Sequence, residues 1–282
     1  MGNAFKIGIA LNIVFVAAEA FAGFRSNSMA LVADAGHNLS DVLALAFSWF
    51  ALLLSQRLPT LKFTYGFRRS TILVAMLNTI LLLAAVVYII LETVARLKNP
   101  VDIQAVPVMA VASAGIVINA FTAWLFYKGK KDDLNIRSSF VHFVADALVS
   151  LGVVAAGIIM ALTGIRWVDS VVSFAIIAVI LYTSFRLLLN SVSLALDAVP
   201  ENIDIREVKA YLESLPEVAG VHDLHIWALG TTDAAITVHL LTKEQTDVRF
   251  IRMIQRELGS RFHIGHATVQ VEYGGEECGI EY

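Results

Sequence analysis

The chain of 282 residues predicts a membrane α-helical bundle with six transmembrane helices, followed by a small C-terminal α+β domain of ferredoxin-like, α-β-β-α-β order. Three observations predict it. Hydrophobic residues make up 57% of the chain and charged residues 16%, and the mean hydropathy of +0.71 is far above that of an ordinary soluble domain. Six apolar runs, each near the roughly 20 residues a helix needs to cross a bilayer, precede Pro200. At Asp197-Ala-Val-Pro200 the apolar runs stop, and charges, turns and period-two stretches begin, dividing a 1–199 membrane domain from a 200–282 module.

The spans read as Ile7 to Phe24, Ala30 to Leu54, Thr71 to Ala95, Val106 to Tyr127, Phe140 to Leu162 and Val168 to Leu189. The first is not a signal peptide: it carries Asn12 and Glu19 and has no small-residue cleavage site before the next run. Cys278, the single cysteine, can form no intrachain disulfide. A net charge of −3 leaves no nucleic-acid footprint. Positive charges concentrate on one side of the bundle, at Lys6, in the Arg57/Lys62/Arg68/Arg69 and Lys128/Lys130/Lys131/Arg137 loops, and at Arg186. Arg25, Arg96, Lys98 and Arg166 fall on the other side. The richer side is the cytoplasmic one by the positive-inside rule, which places both termini and the C-terminal module in the cytoplasm.

That module reads as helix Ile203 to Leu215, strand Val218 to Ala228, strand Ala234 to Leu241, helix Thr246 to Arg261 and strand Ala267 to Tyr273, with Gly230-Thr-Thr-Asp233 as a hairpin turn. Alternation puts Ile236, Val238 and Leu240 on one face of the second strand and Thr237 and His239 on the other. On the third strand, Val269 and Val271 oppose Thr268, Gln270 and Glu272. The open face then carries His239 and Glu272, joined by His225 and Trp227 if the first strand pairs in the simplest register. Such a face serves as a dimer contact, a metal site or solvated surface.

The candidate chemistry lies in the spans. The second contains Asp34-Ala-Gly-His37-Asn-Leu-Ser-Asp41 and the fifth His142-Phe-Val-Ala-Asp146. Each sets a histidine four residues before an aspartate, so both side chains fall on one helix face, one turn apart. A carboxylate in hydrocarbon is costly unless paired or bound to a cation. Two imidazoles and two carboxylates, brought together by packing the second helix on the fifth, make a donor set suited to tetrahedral Zn²⁺. The histidines argue against Mg²⁺ and Ca²⁺ and the lack of sulfur ligands against Cu(I); Cd²⁺, Co²⁺, Fe²⁺ and Ni²⁺ stay open. Polar glue between helices would explain one such pair, but it gives no reason for the same order and spacing twice. Asp34 is placed to hydrogen-bond an imidazole from behind or to cap a turn. Asn12, Glu19, Asn38, Asn78, Glu92, Asn119 and Asp169 read as packing or interface positions.

The segment Ser28 to Asp41, the His142/Asp146 pair, Tyr65-Gly-Phe-Arg-Arg69, Asp197-Ala-Val-Pro200 and Val221-His-Asp-Leu-His-Ile-Trp227 together resemble the cation diffusion facilitator family, its bacterial zinc-exporting members above all. The resemblance spans nearly the whole chain. It implies a six-span homodimer in the plasma membrane, the bacterial inner membrane, that exports Zn²⁺ in exchange for protons, with a cytoplasmic module of copper-chaperone-like fold that binds metal and dimerises. It also implies a transport site at His37, Asp41, His142 and Asp146, a donor set that goes with zinc and sometimes cadmium, and a cytoplasmic site at His222, His239 and Glu272. Strand parity favours His225 over His222 there, and His263 and His266 compete from beside the last strand. The loop Gln56 to Ser70 has no His or Asp, so a loop metal site of some members is not expected. Lys128 to Ser138 lacks the histidines of eukaryotic vesicular members. Arg69 is followed by Ser70-Thr71 where a Glu is common, which leaves open how that arginine is paired.

Two other classes are discriminable. An intramembrane metalloenzyme needs an open coordination position and a general base, and no HExxH helix is present. A metal receptor would bind without flux, and no output domain is recognisable.

Overall fold

The computed structural model describes residues 3–99, 101–127 and 134–273. The side chains of Lys6, Asn12 and Arg137, the charges Lys128, Lys130 and Lys131, and Cys278 lie outside the described residues. Six long helices come first: α1 (Asn3–Ser26), α2 (Met29–Ser55), α3 (Ser70–Lys98), α4 (Ala105–Tyr127), α5 (Leu134–Thr163) and α6 (Trp167–Ala195). Each outruns its apolar stretch at one or both ends, because a helix keeps its backbone hydrogen bonds through the polar interface. Among the described residues, four stretches are long and apolar enough to cross a membrane: Ser70–Lys98, Ala105–Trp124, Phe140–Thr163 and Trp167–Ala195.

The chain falls into two compact units, one of residues 1–46 and 77–187, the other of 47–76 and 188–282. In the first, Met29, Leu31, Val86, Ile89, Val108, Val153, Ile176 and Ile180 make the apolar core. Small residues let its helices approach. A Cβ on Gly23 of α1 would come 2.8 Å from Val32 of α2, and one on Gly115 of α4 would come 2.8 Å from Phe15 and 3.0 Å from Ser150 Oγ.

The joint between α1 and α2 is built from caps. Asn27 takes the left-handed conformation (φ 58°) that ends α1. Ser28 then caps α2, its hydroxyl accepting from Leu31 N at 3.2 Å. Asp169, from the first turn of α6, accepts from the Ser28 hydroxyl, from Met29 N at 2.7 Å and from Ala30 N at 3.4 Å. The aspartate read as a packing position is thus the acceptor for the N-terminus of α2.

The second unit contains α7 (Ile205–Glu213), β1 (Val218–Ala228), β2 (Ala234–Thr242), α8 (Val248–Phe262) and β3 (Ile264–Tyr273), the α-β-β-α-β order expected. Among the described residues the sheet has three strands in the order β1-β2-β3, with β1 antiparallel and β3 parallel to β2. The parallel pair is joined through α8, a β-α-β crossover. Ile236, Val238 and Leu240 are buried against Val208, Leu212, Ile254 and Leu258 of the two helices, and His239 falls on the other face, as the alternation predicts.

Register is where strand parity fails. His222 lies opposite His239 and His225 opposite Thr237, so three residues of β1 span two of β2. The extra residue is a β-bulge, and Asp223 within it holds φ at 46°. Both histidines consequently reach the open face, and the one opposite His239 is His222, where a regular strand would have put only His225.

The unit also has ties among its own loops. Arg69, whose partner was open, pairs with Asp197. Arg68 lies 3.8 Å from Asp233, and Thr71 Oγ1 accepts from Thr231 N at 3.0 Å.

Candidate metal centres

Helices α2 and α5 each supply one His/Asp pair, and the pairs converge as the i, i+4 spacing requires. His37 Nε2 lies 3.7 Å from Asp41 Oδ2 and 3.9 Å from Asp146 Oδ1. His142 Nε2 lies 3.3 Å from Asp41 Oδ2 and 3.4 Å from Asp146 Oδ2. The order of contacts runs Asp34 with Ser150, His37 with Asp146, Asp41 with His142, so the two helices are antiparallel at the cluster. Asp146 is nearly enclosed at 5% exposure, whereas the other three keep partial access.

These gaps are longer than good hydrogen bonds. Four ligands held about 2.0–2.2 Å from a tetrahedral ion lie roughly 3.3–3.6 Å from one another. The four His–Asp gaps sit at or just above that range, Asp146 reaching the two imidazoles through different oxygens. His37, His142 and Asp146 bring one ligand atom each within 4.8 Å of one another, a set that leaves out Asp41. Each group presents the atom a metal would use, Nε2 or a carboxylate oxygen. His37 Nδ1 and Asp41 Oδ2 are buried without an aligned hydrogen-bond partner among the described residues.

Around the cluster most of the weaker polar positions find partners. Asp34 accepts from Ser150 Oγ at 3.3 Å and forms no hydrogen bond to His37. Asn78 donates to Ser40 Oγ at 3.4 Å, and Glu92 pairs with Arg96 at 2.9 Å. Asn119 is buried with its amide nitrogen unpartnered among the described residues.

The second cluster lies on the open face of the sheet. His222 Nε2 is 2.9 Å from Glu272 Oε2, and His239 Nδ1 is 2.9 Å from Glu272 Oε1 without hydrogen-bond alignment. Ligand atoms of these three residues lie within 4.8 Å of one another. His225 is drawn away: its Nε2 shares a 2.9 Å hydrogen bond with Asp223 Oδ1, while Asp223 Oδ2 sits 3.3 Å from His239 Nε2. His266 stacks edge-on against Tyr65, and His263 forms the left-handed C-cap of α8.

Two carboxyls of this face are shifted. The hydrogen bond with His225 holds Asp223 below the usual carboxylate range, burial opposing it and the charges of His225, His239 and His222 adding to it. For Glu272, burial pushes upward, but the hydrogen bonds with His222 and Gln270 and the charge of both imidazoles outweigh it, so it too lies low. Asp223 is a residue the sequence reading missed. Its signal, an acidic residue between two histidines, becomes readable only once the bulge is known.

The chain matches the cation efflux transmembrane domain over residues 5–194 and the cation efflux protein cytoplasmic domain over residues 200–273. This chain belongs to the cation efflux family. Its curated relatives in the cation efflux family include the metal cation efflux system protein CzcD of Cupriavidus metallidurans, 35% identical over 95% of this chain and 85% of that protein. The zinc transporter ZitB of Escherichia coli is 35% identical over 94% and 86%. The cadmium, cobalt and zinc/H⁺-K⁺ antiporter of Bacillus subtilis is 31% identical over 90% and 83%. Among solved structures, the metal-bound C-terminal domain of the CzcD transporter from C. metallidurans covers 25% of this chain at 33% identity, with a TM-score of 0.23. As a cation efflux protein the chain is an integral membrane transporter and not a member of a catalytic family.

Proposed function

We propose that this protein exports Zn²⁺, with Cd²⁺ and other divalent transition metals as competing cargo, from the cytoplasm in exchange for protons, through a tetrahedral His37/Asp41/His142/Asp146 site between α2 and α5. The observation that carries the reading is the set of four inter-ligand gaps of 3.3 to 3.9 Å, each ending on a metal-competent atom. Relatives named as zinc transporters and as a cadmium, cobalt and zinc antiporter support the cargo class.

Exchange follows from ligand chemistry. A metal-bound imidazole must be neutral at the ligating nitrogen and a bound aspartate ionised, so loading zinc expels protons the cluster held. On the cytoplasmic side the four groups take zinc; on the far side protons displace it, and the protonated cluster returns. A bundle with two access states is required, and the proton gradient biases the cycle.

All six helices α1–α6 span the membrane, within a functional division at 1–199 and 200–282, with both termini in the cytoplasm of a bacterial cell and the bundle in its inner membrane. His222, His239 and Glu272 hold a second, regulatory or structural zinc, and the chain works as a homodimer through its cytoplasmic module. Support comes from the cytoplasmic-domain match and from the His222, His239 and Glu272 geometry.

Zinc uptake into proteoliposomes under an imposed pH gradient tests the core claim. Wild type is expected to accumulate zinc with counterflow of protons, whereas Asp146→Ala and His142→Ala lose at least about tenfold in rate, since losing a ligand costs no less than losing a group that orients one. Folded wild type that binds zinc and moves none would end the transport reading.

A further inference from the structure

Glu19 is the least expected residue of the bundle. It sits on α1, fully buried at 0% exposure, outside the four-residue cluster. Its Oε2 accepts from Asn38 Nδ2 at 3.0 Å, and its Oε1 has no hydrogen-bond partner among the described residues. What faces it is another acid: the Asp34 carboxyl, 1% exposed, lies within hydrogen-bonding reach. Asp34 in turn accepts from Ser150 Oγ at 3.3 Å. The other ionisable groups acting on the two carboxyls are Asp146 of α5 and His37 of α2. Helix α4, which packs on α1, carries no Asp, Glu, His, Lys or Arg.

Two enclosed carboxyls facing each other, with one amide and one hydroxyl as their donors and no lysine or arginine beside them among the described residues, cannot both stay ionised. One oxygen is committed to Asn38 and one to Ser150. A single proton shared across the pair removes one charge and supplies the donor that Glu19 Oε1 lacks. A larger cation would need a cage of several oxygens, which this pair does not offer.

Position gives the pair its meaning. Asp34 lies one turn before His37 on α2, and Ser150 lies one turn after Asp146 on the antiparallel α5, so both helices place the pair about 5.4 Å further along the bundle in the same direction. At that separation, in a low dielectric, a divalent ion in the cluster and a proton on the pair repel.

We propose that Glu19 and Asp34 form a proton-binding pair, distinct from the metal cluster, that gives up its proton when zinc loads and recovers it when zinc leaves. The proposal rests on the exchange reading above and assigns part of the counter-ion to α1.

Calorimetric titration of zinc into the full chain in nanodiscs, repeated in buffers of different ionisation enthalpy, counts protons released per zinc. Glu19→Gln, which keeps an acceptor for Asn38, is expected to bind zinc within about threefold of wild type while releasing about one proton fewer. Asp34→Asn should lose the same proton, and the double variant no more than either alone, because the pair shares one. Zinc accumulation driven by a pH gradient should fall at least about tenfold in Glu19→Gln, with Glu19→Asp recovering part of it. An unchanged proton count overturns the proposal. So does a Glu19→Gln chain that loses zinc binding altogether while Glu19→Asp binds normally without restoring the proton, and so does zinc flux that follows a K⁺ gradient through Glu19 at fixed pH. If wild-type flux ignores the pH gradient, the exchange reading fails, and the calorimetric count still decides the pair.

Discussion

Asp223 concentrates several roles in one side chain. It stands at φ 46° in the β1 bulge, where a residue with a Cβ carries roughly 1–2 kcal/mol of strain and where Asn is tolerated nearly as well as Asp. Asp223→Asn, which keeps the backbone conformation but loses the carboxylate's contacts with the imidazoles, is therefore expected to lower the melting midpoint of the full chain less than Asp223→Val, which should cost about 1–3 kcal/mol. Equal midpoints for the two variants would show that the conformation is not held by this residue. The pH response has a definite sign. Asp223 is faced by His225, His239 and His222, and its carboxyl lies low in the folded chain. Its contribution is present above the ordinary unfolded value of about 3.9 and is lost as pH falls through the lower folded value. The hydrogen-exchange protection of β1, referred to the intrinsic rate at each pH, should fall below about pH 4 in wild type, and less so in Asp223→Asn. None of this was legible beforehand, because parity arguments assume one residue per pairing step and a bulge adds one without a mark in the sequence.

Among the elements, α2 and α5 behaved as their spacing says: an i, i+4 pair on a helix has nowhere to go but one face, so His37/Asp41 and His142/Asp146 were readable. Which helix would join them was not. Glu19 and Asn38 lie on different helices, and no local period links them; their contact is a product of tertiary packing. Asp169 is the same kind of case, a residue of α6 that serves α2. Because α2 carries His37 and Asp41, half of the proposed metal cluster, the anchoring of its first turn can be weighed separately from ligation. Asp169→Ala leaves two backbone N–H groups and a hydroxyl without their acceptor and should destabilise the chain in detergent by about 1–3 kcal/mol, with Asp169→Asn intermediate. An unaltered thermal midpoint would mean that water or another group caps α2 as well.

At the scale of the molecule, the first compact unit reverses the arrangement of a soluble protein. Val14, Phe21, Leu91, Val117, Leu148 and Tyr182 are exposed, whereas Glu19, Asp34, Asn119, Asp146 and Asp169 are buried. Hydrocarbon as solvent explains both halves, since apolar side chains lose nothing by facing lipid and polar ones must find partners inside. That inversion was visible in composition alone; the parallel β2–β3 pairing was not, because strand direction is decided by the path of α8.

The second unit joins residues 47–76 to 188–282, tying the loop around Arg68 and Arg69 to Asp197, Asp233 and Thr231. A gene split after codon 199 would consequently part Arg68 from Asp233 and Thr71 from Thr231, while leaving Arg69 with Asp197. Expressed separately, the 1–199 half is expected to display an uncovered 47–76 segment, more open to protease than in the intact chain. Co-expression with 200–282 should restore its protection if complementation succeeds, the two halves then behaving as one protein supplied in two pieces.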